Sequence, residues 1–202
     1  MANPDPLDSD MVAFPDPTEI EPHVIAFAGM MFAHAALERE IRALLDAITK
    51  TPGFGEQHSN QWRARERPQR IVKLIETHRG HDFPQTKQIE KLLNDAIDPC
   101  EQRNHLAHGT WWCFNRHTTA IVVRATRREH QEIPPERGEY TADDIYALVE
   151  KFKTVEVELY KLRRSIEQPV LNTETLMATI ETELEKLRRS IEQPTNQDVK
   201  ED

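Results

Sequence analysis

Cysteine is nearly absent from this chain of 202 residues, with only Cys100 and Cys113 present. Two thiols at that spacing build neither a disulfide framework nor a four-thiolate zinc site. Glycine is scarce too: six residues, none in a Gly-rich loop between a strand and a helix. That argues against a nucleotide-binding regulator built on a phosphate loop. Long apolar runs are also missing. No window approaches the roughly 18 uninterrupted apolar residues of a membrane span. The opening "MANPDPLDSD" has neither the basic start nor the apolar run of a secretory signal. The expectation is a cytoplasmic protein without membrane contact.

Positive charge is in deficit. Lys and Arg number 26 against 35 Asp and Glu, a formal net charge of −9. The field of the whole molecule therefore repels phosphate backbones, and any nucleic-acid contact requires a local basic patch. Two runs offer one: "RARERPQR", with Arg63, Arg65, Arg67 and Arg70, and "VRATRR", with Arg124, Arg127 and Arg128. The alternative is that both are solvated faces balanced by nearby acids.

What is present points to helices. A hydrophobic share of 38% beside a charged share of 30% suits a small core and long solvated helices. The length suits one domain plus tails, able to bury roughly two-thirds of the unfolded chain's surface. Residues 1–22 carry five prolines among acids and small polar groups and are expected to form a disordered tail. In the segment that follows, Phe27, Met30, His34, Leu37, Ile41, Leu44 and Ile48 recur at three- and four-residue steps. They share one face of a first helix, which "TPGFG" at 51–55 stops. A basic amphipathic stretch comes next, with Trp62, Ile71, Leu74 and Ile75 as its apolar side, and "RGHDFP" reads as a turn.

From Thr86 the periodicity resumes through Ile89, Leu93, Ile97 and Cys100. Asp98 as N-cap and Pro99 at the first helical position predict a restart or kink there, and Gly109 is the expected stop. Residues 111–128 change register, with aromatic and β-branched residues flanking "NRH", which reads as a β-hairpin. One of Trp111 and Trp112 belongs to the core; the other stacks on a base or meets a second subunit. "EIPPERGEY" reads as a loop. Thr141 and Asp144 are placed as a capping box for a helix with stripe Ile145, Leu148, Phe152, Val155, Leu159, Leu162 and Ile166, ended by Pro169.

A repeat follows. "TVEVELYKLRRSIEQP" at 154–169 returns as "TIETELEKLRRSIEQP" at 179–194, thirteen of sixteen positions matching at a period of 25. Two copies are too few for a solenoid. They read as a tandem duplication that added an accessory helix over 170–194, with Leu176, Ile180, Leu184, Leu187 and Ile191 as its stripe. The domain plan is thus a tail to 22, a helical domain over 23–168, this accessory helix, and a second tail over 195–202.

One stretch breaks the pattern. In "EQRNHLAHGTWW", residues 101–112, the stripe of Ile89, Leu93, Ile97 and Cys100 continues onto Asn104 and His108. These two share a face one turn apart, and Arg103 flanks them. A buried face ending in Arg, Asn and His suits phosphate chemistry. Histidine titrates near neutrality and serves as general acid or base, and the guanidinium fork matches a phosphate. His105 with His108, and His78 with His81, sit at i, i+3, yet no acidic or thiolate ligand is spaced to complete a zinc site, so neither metal nor cofactor is expected. His34 and Glu38 lie on or beside the first helix's apolar face. They either reach this cluster or stay a satisfied core histidine and a solvated glutamate.

The run Arg103-Asn104, three residues, then His108 ("RNHLAH") at a helix end resembles the signature of the HEPN superfamily, the higher eukaryotes and prokaryotes nucleotide-binding domains. The resemblance covers six residues tightly and about residues 24–166 loosely. It implies an all-α, up-and-down bundle of about four to five helices, to which the hairpin is an insertion. It implies a metal-independent endoribonuclease, of the kind that serves as a toxin or defence effector, in which a homodimer brings two motifs face to face. On that implication His108 is the acid/base at the ribose 2′-hydroxyl or leaving oxygen, Arg103 holds the phosphate, and Asn104 orients His108 or a phosphate oxygen. His105, His34 and Glu38 then form a supporting shell, and Arg63, Arg67, Arg70, Arg124 and Arg127 contact RNA. An antitoxin or other protein partner fits the same role. A catalytically silent HEPN-like assembly module is the alternative.

Overall fold

The first helix, α1 (Pro17–Thr49), is capped reciprocally at its start. The Asp16 carboxylate accepts from the Thr18 backbone N–H at 2.9 Å, and the Glu19 carboxylate accepts from the Asp16 N–H at 2.8 Å. Pro17 occupies the first turn, where no N–H is required. This corrects the expectation of a disordered tail as far as residue 22. Pro22 lies exposed inside the helix, and the cap offsets its one lost backbone bond. A computed structural model of the chain describes residues 11–12, 15–124, 137–168, 181–186 and 188–189. The chain divides into two units, 1–166 and 167–202.

α1 is the core helix of the first unit. Met30, Leu37, Ile41, Leu44 and Ile48 are buried as the spacing predicts, joined by Ala26, Ala33 and Leu45. One 18-residue window has a mean hydropathy of 1.3, long and apolar enough to cross a membrane by length and composition alone. Interspersed alanines and single polar residues let α1 pass that test without an unbroken apolar run. After Lys50 (φ 56°) and Gly53 (φ 80°) the chain doubles back. The short helix α2 (Phe54–His58) crosses α1 so closely that a Cβ on Gly55 would lie 2.2 Å from the Arg42 carbonyl oxygen. The Asp46 carboxylate accepts from the N–H groups of Gly53 and Gly55 at 3.0 and 2.7 Å.

Two 3-10 turns, Ser59–Gln61 and Ala64–Glu66, return the chain to the level of Glu38. There α3 (Arg67–Arg79) begins, burying Ile71 and Ile75. Its pairings advance in step with α1: Arg67 reaches Glu38, and Arg79 donates to the carbonyls of Ile48 and Ala47. α3 therefore runs parallel to α1. α4 (Thr86–Asp95) and α5 (Ile97–His108) are separate helices that break at Ala96. This corrects the restart expected at Asp98. Pro99 falls inside the first turn of α5, where its missing N–H costs nothing.

The sheet is larger than the predicted hairpin. Strands β1 (Met11–Val12), β2 (Thr110–Asn115), β3 (Ala120–Arg124) and β4 (Arg137–Thr141) pair antiparallel in that order. β4 occupies the end of the segment read as a loop. Its order comes from pairing Tyr140 with Ile121 and Glu139 with Val122, contacts no local pattern announces. The β2–β3 register shifts between Trp111 and Cys113, leaving Trp112 as the extra residue of a bulge.

α6 (Ala142–Glu167) starts on the expected capping box. Thr141 N–H donates to the Asp144 carboxylate at 2.9 Å, and Asp144 N–H donates to Thr141 Oγ1 at 3.1 Å. Ile145, Leu148, Phe152, Val155, Leu159 and Leu162 are buried, and Ile166 packs at the margin. Contacts with α1 again advance together, from Gly29–Val149 through His34–Phe152 to Glu40–Arg163. Two helices parallel to α1 replace the expected up-and-down order. Among its described residues the first unit is mostly helical, with six α-helices and a small antiparallel sheet. In the second unit, Leu184 is 59% exposed on the helical segment 181–186. The other members of its stripe, Leu176, Ile180, Leu187 and Ile191, lie outside the described residues, as does the tail over 195–202.

Candidate functional site

The break at Ala96 uncouples α5 from the periodicity of α4, and α5 turns a different face to the core. Cys100 and Leu106 are buried, Arg103 is half-buried between them, and Asn104 and His108 are exposed. This overturns the expectation that Asn104 and His108 continue the buried stripe. They do share a face, but it is the solvent face. Gly109 ends α5 with extended backbone (φ −78°). Glycine is required there for space: a Cβ would lie 2.4 Å from Val123 Cγ1 and 2.5 Å from the His105 carbonyl. Trp111 then turns back, donating from Nε1 to the Leu106 carbonyl at 3.0 Å and meeting Phe27 edge-on at 5.3 Å.

Behind Arg103 lies a cavity of about 360 Å³. α1 contributes His34, Glu38 and Arg42; the turns before α3 contribute Asn60, Trp62 and Arg63; Arg67 opens α3; and α5 contributes Cys100, Arg103 and Asn104. The doubling-back at α2 is what carries residues 60–67 to this place. His34 Nε2 lies 3.5 Å from Glu38 Oε1, and the same oxygen accepts from Arg67 Nη1. Arg67 Nε also donates to the Trp62 carbonyl at 3.3 Å. The far side of the His34 ring meets Phe152 at 5.3 Å between centroids.

Burial holds the His34 imidazole below its ordinary pKa; Glu38 opposes that shift, and the Arg103 and Arg67 guanidinium groups reinforce it. Burial likewise pushes the Cys100 thiol up to about 11. A thiol so placed is protonated at neutral pH and is no nucleophile. Arg103 Nη1 donates to Asn104 Oδ1 at 2.9 Å. Its Nε is buried and, among the described residues, has no hydrogen-bond partner. Four guanidinium groups and one carboxylate line this space, so its field favours an anion with several acceptor oxygens.

The structure thus gathers Arg103, Asn104, His34, Glu38, Arg63 and Arg67 around one cavity and leaves the other sequence-predicted residues outside it. His108 stands one helical turn beyond Asn104, on the same exposed face. His105 Nδ1 pairs with the Tyr140 hydroxyl at 2.9 Å, tying α5 to β4. Arg70 pairs with Glu66 at 3.1 Å and lies over Trp62. Arg124 stacks on Trp112, its guanidinium carbon 3.5 Å from the ring centroid, so Trp112 is occupied by a cation and Trp111 by the core. Arg127 lies outside the described residues. Sequence reasoning missed Arg42, although a signal existed: His34, Glu38 and Arg42 follow at i, i+4 and i+8, one line along α1. Comparison of the chain with protein-family models, curated proteins and solved structures finds no match.

Proposed function

We propose that the chain is a metal-independent endoribonuclease of the HEPN type, acting as a homodimer. The observation that carries this reading is the guanidinium excess around Arg103, a local positive site in a chain of net charge −9. In this reading a phosphodiester enters the cavity and the Arg103 guanidinium donates to its oxygens. Arg63 at the exposed rim holds a neighbouring phosphate. The ribose 2′-oxygen attacks the adjacent phosphorus, and the bond from phosphorus to the leaving 5′-oxygen breaks. His108, on the exposed face that also bears Asn104, takes the 2′-hydroxyl proton or supplies one to the leaving oxygen. RNA brings its own nucleophile, so no serine or thiolate is needed. Arg103 offsets the charge that builds on the phosphoryl oxygens, the interaction that contributes most to such transition states.

A second reading, a catalytically silent assembly module, is favoured by the position of His108 outside the cavity lining. Incubating the full chain with RNA in EDTA separates the two. The nuclease reading expects cleavage that His108→Ala lowers by about 10²–10⁴-fold and His105→Ala retains. An inert wild-type chain would sink it in favour of the assembly module.

A further inference from the structure

α1 buries one face and leaves a second apolar line in solvent. Ile25 is 55% and Phe32 78% exposed, and Ala28 and Ala35 are exposed between and beyond them. Glu21 precedes this line and Arg39 follows it, both exposed. The six residues recur at alternating four- and three-residue steps, the spacing of a two-helix seam.

The order along this line is what identifies its occupant. Laid antiparallel on a copy of itself about a two-fold axis at the level of Met30, the line is self-complementary. Ile25 meets Ala35 of the second copy, Phe32 meets its Ala28, and Glu21 meets its Arg39. Large side chains face small ones at every layer, and an acid faces a base at each end. Laid parallel, the same line sets Phe32 against Phe32 and like charges against each other, which costs free energy. A closed two-fold contact of this kind requires each surface to match itself.

We infer that α1 is the homodimer interface, an antiparallel seam of Glu21, Ile25, Ala28, Phe32, Ala35 and Arg39 with a second copy. The seam spans about 27 Å at the rise of an α-helix. A bilayer is the competing occupant for an apolar helix face, but the charges at both ends and the net charge of −9 disfavour insertion beside anionic headgroups.

Charge exchange tests the pairing. By sedimentation equilibrium on the full chain, the wild type has twice the chain mass. Glu21→Arg and Arg39→Glu each shift it toward the single-chain mass, and the double variant E21R/R39E restores the dimer. Phe32→Asp also gives the single-chain mass, with an unchanged far-UV spectrum. A monomeric wild type, a double variant no more dimeric than the single ones, or Phe32→Asp at full dimer mass overturns the interface. So does flotation of a monomeric wild type with phosphatidylcholine vesicles that Phe32→Asp abolishes, which assigns the face to lipid. The reading needs no RNA: an inert dimer overturns the nuclease alone, and an active chain indifferent to these variants overturns the interface alone.

Discussion

Glu38 is the one carboxylate among the cavity's cations, and its side chain is 12% exposed beside 13% for Arg67. Removing both charges from water costs several kcal/mol, and only their mutual attraction and hydrogen bonds offset it. Arg67→Met therefore strands a buried carboxylate and is expected to cost about 3 kcal/mol in urea unfolding. The double variant R67M/E38M removes the stranded charge with it and recovers most of that loss. A double variant as unstable as the single one would show that Arg67 acts through packing. At this same scale sequence reading succeeded unevenly. His34 and Glu38 were legible because helical spacing alone sets them beside the apolar face. Asn104 and His108 take the solvent face because the helix breaks at Ala96, where nothing in the residue types marks a break. Asp98 and Pro99 looked like the stronger start signal.

Between elements, the entry of α1 is tied to the turn after β2. His23 is 3% exposed, and its Nε2 donates to the Thr119 carbonyl at 3.0 Å, while its ring meets Phe114 edge-on. Arg116 from the same turn pairs with Glu19 at 2.9 Å. Burial holds the His23 pKa below its ordinary value, with the bond to Thr119 opposing. The native state then binds fewer protons than the unfolded chain, whose imidazoles titrate near about pH 6.5. The stability this contributes is complete above that value and is lost as pH falls through the lower native one. His34 is depressed by burial in the same direction. Wild-type unfolding free energy is thus expected to fall as pH drops below about 6.5. His23→Gln, which keeps an N–H for Thr119 and loses the titration, should flatten the profile measured by urea unfolding; an unchanged slope would remove His23 as a cause. The capping box and stripe of α6 were plain in the sequence because both are local. β4 and the return of residues 60–67 to Glu38 were not, since pairing with β3 and the crossing at Gly55 decide them.

At the scale of the whole molecule, a net charge of −9 and a cavity lined by four arginines set opposing terms on any anionic ligand. Distant charges act through solvent and fade within a Debye length of about 8 Å at physiological salt. Contacts inside the cavity are screened far less. The two terms also differ in how many cations are at liberty to act. Arg67 is engaged by Glu38, and Arg42 pairs with Glu56 at 3.2 Å, which leaves Arg63 and Arg103 as the phosphate partners in the proposed reading. Each phosphate neutralised on a single strand contributes about 0.7 to the slope of log affinity against log salt. Binding of a short single-stranded RNA, followed by fluorescence anisotropy across salt concentrations, should therefore show a shallow slope near −1.4, about two such contacts. Arg103→Gln should weaken binding and reduce the slope by about 0.7. Arg124→Gln should change neither, because its guanidinium is stacked on Trp112 and does not line the cavity. If Arg124→Gln lowers the slope and Arg103→Gln does not, the sheet face is the phosphate site and the cavity is not.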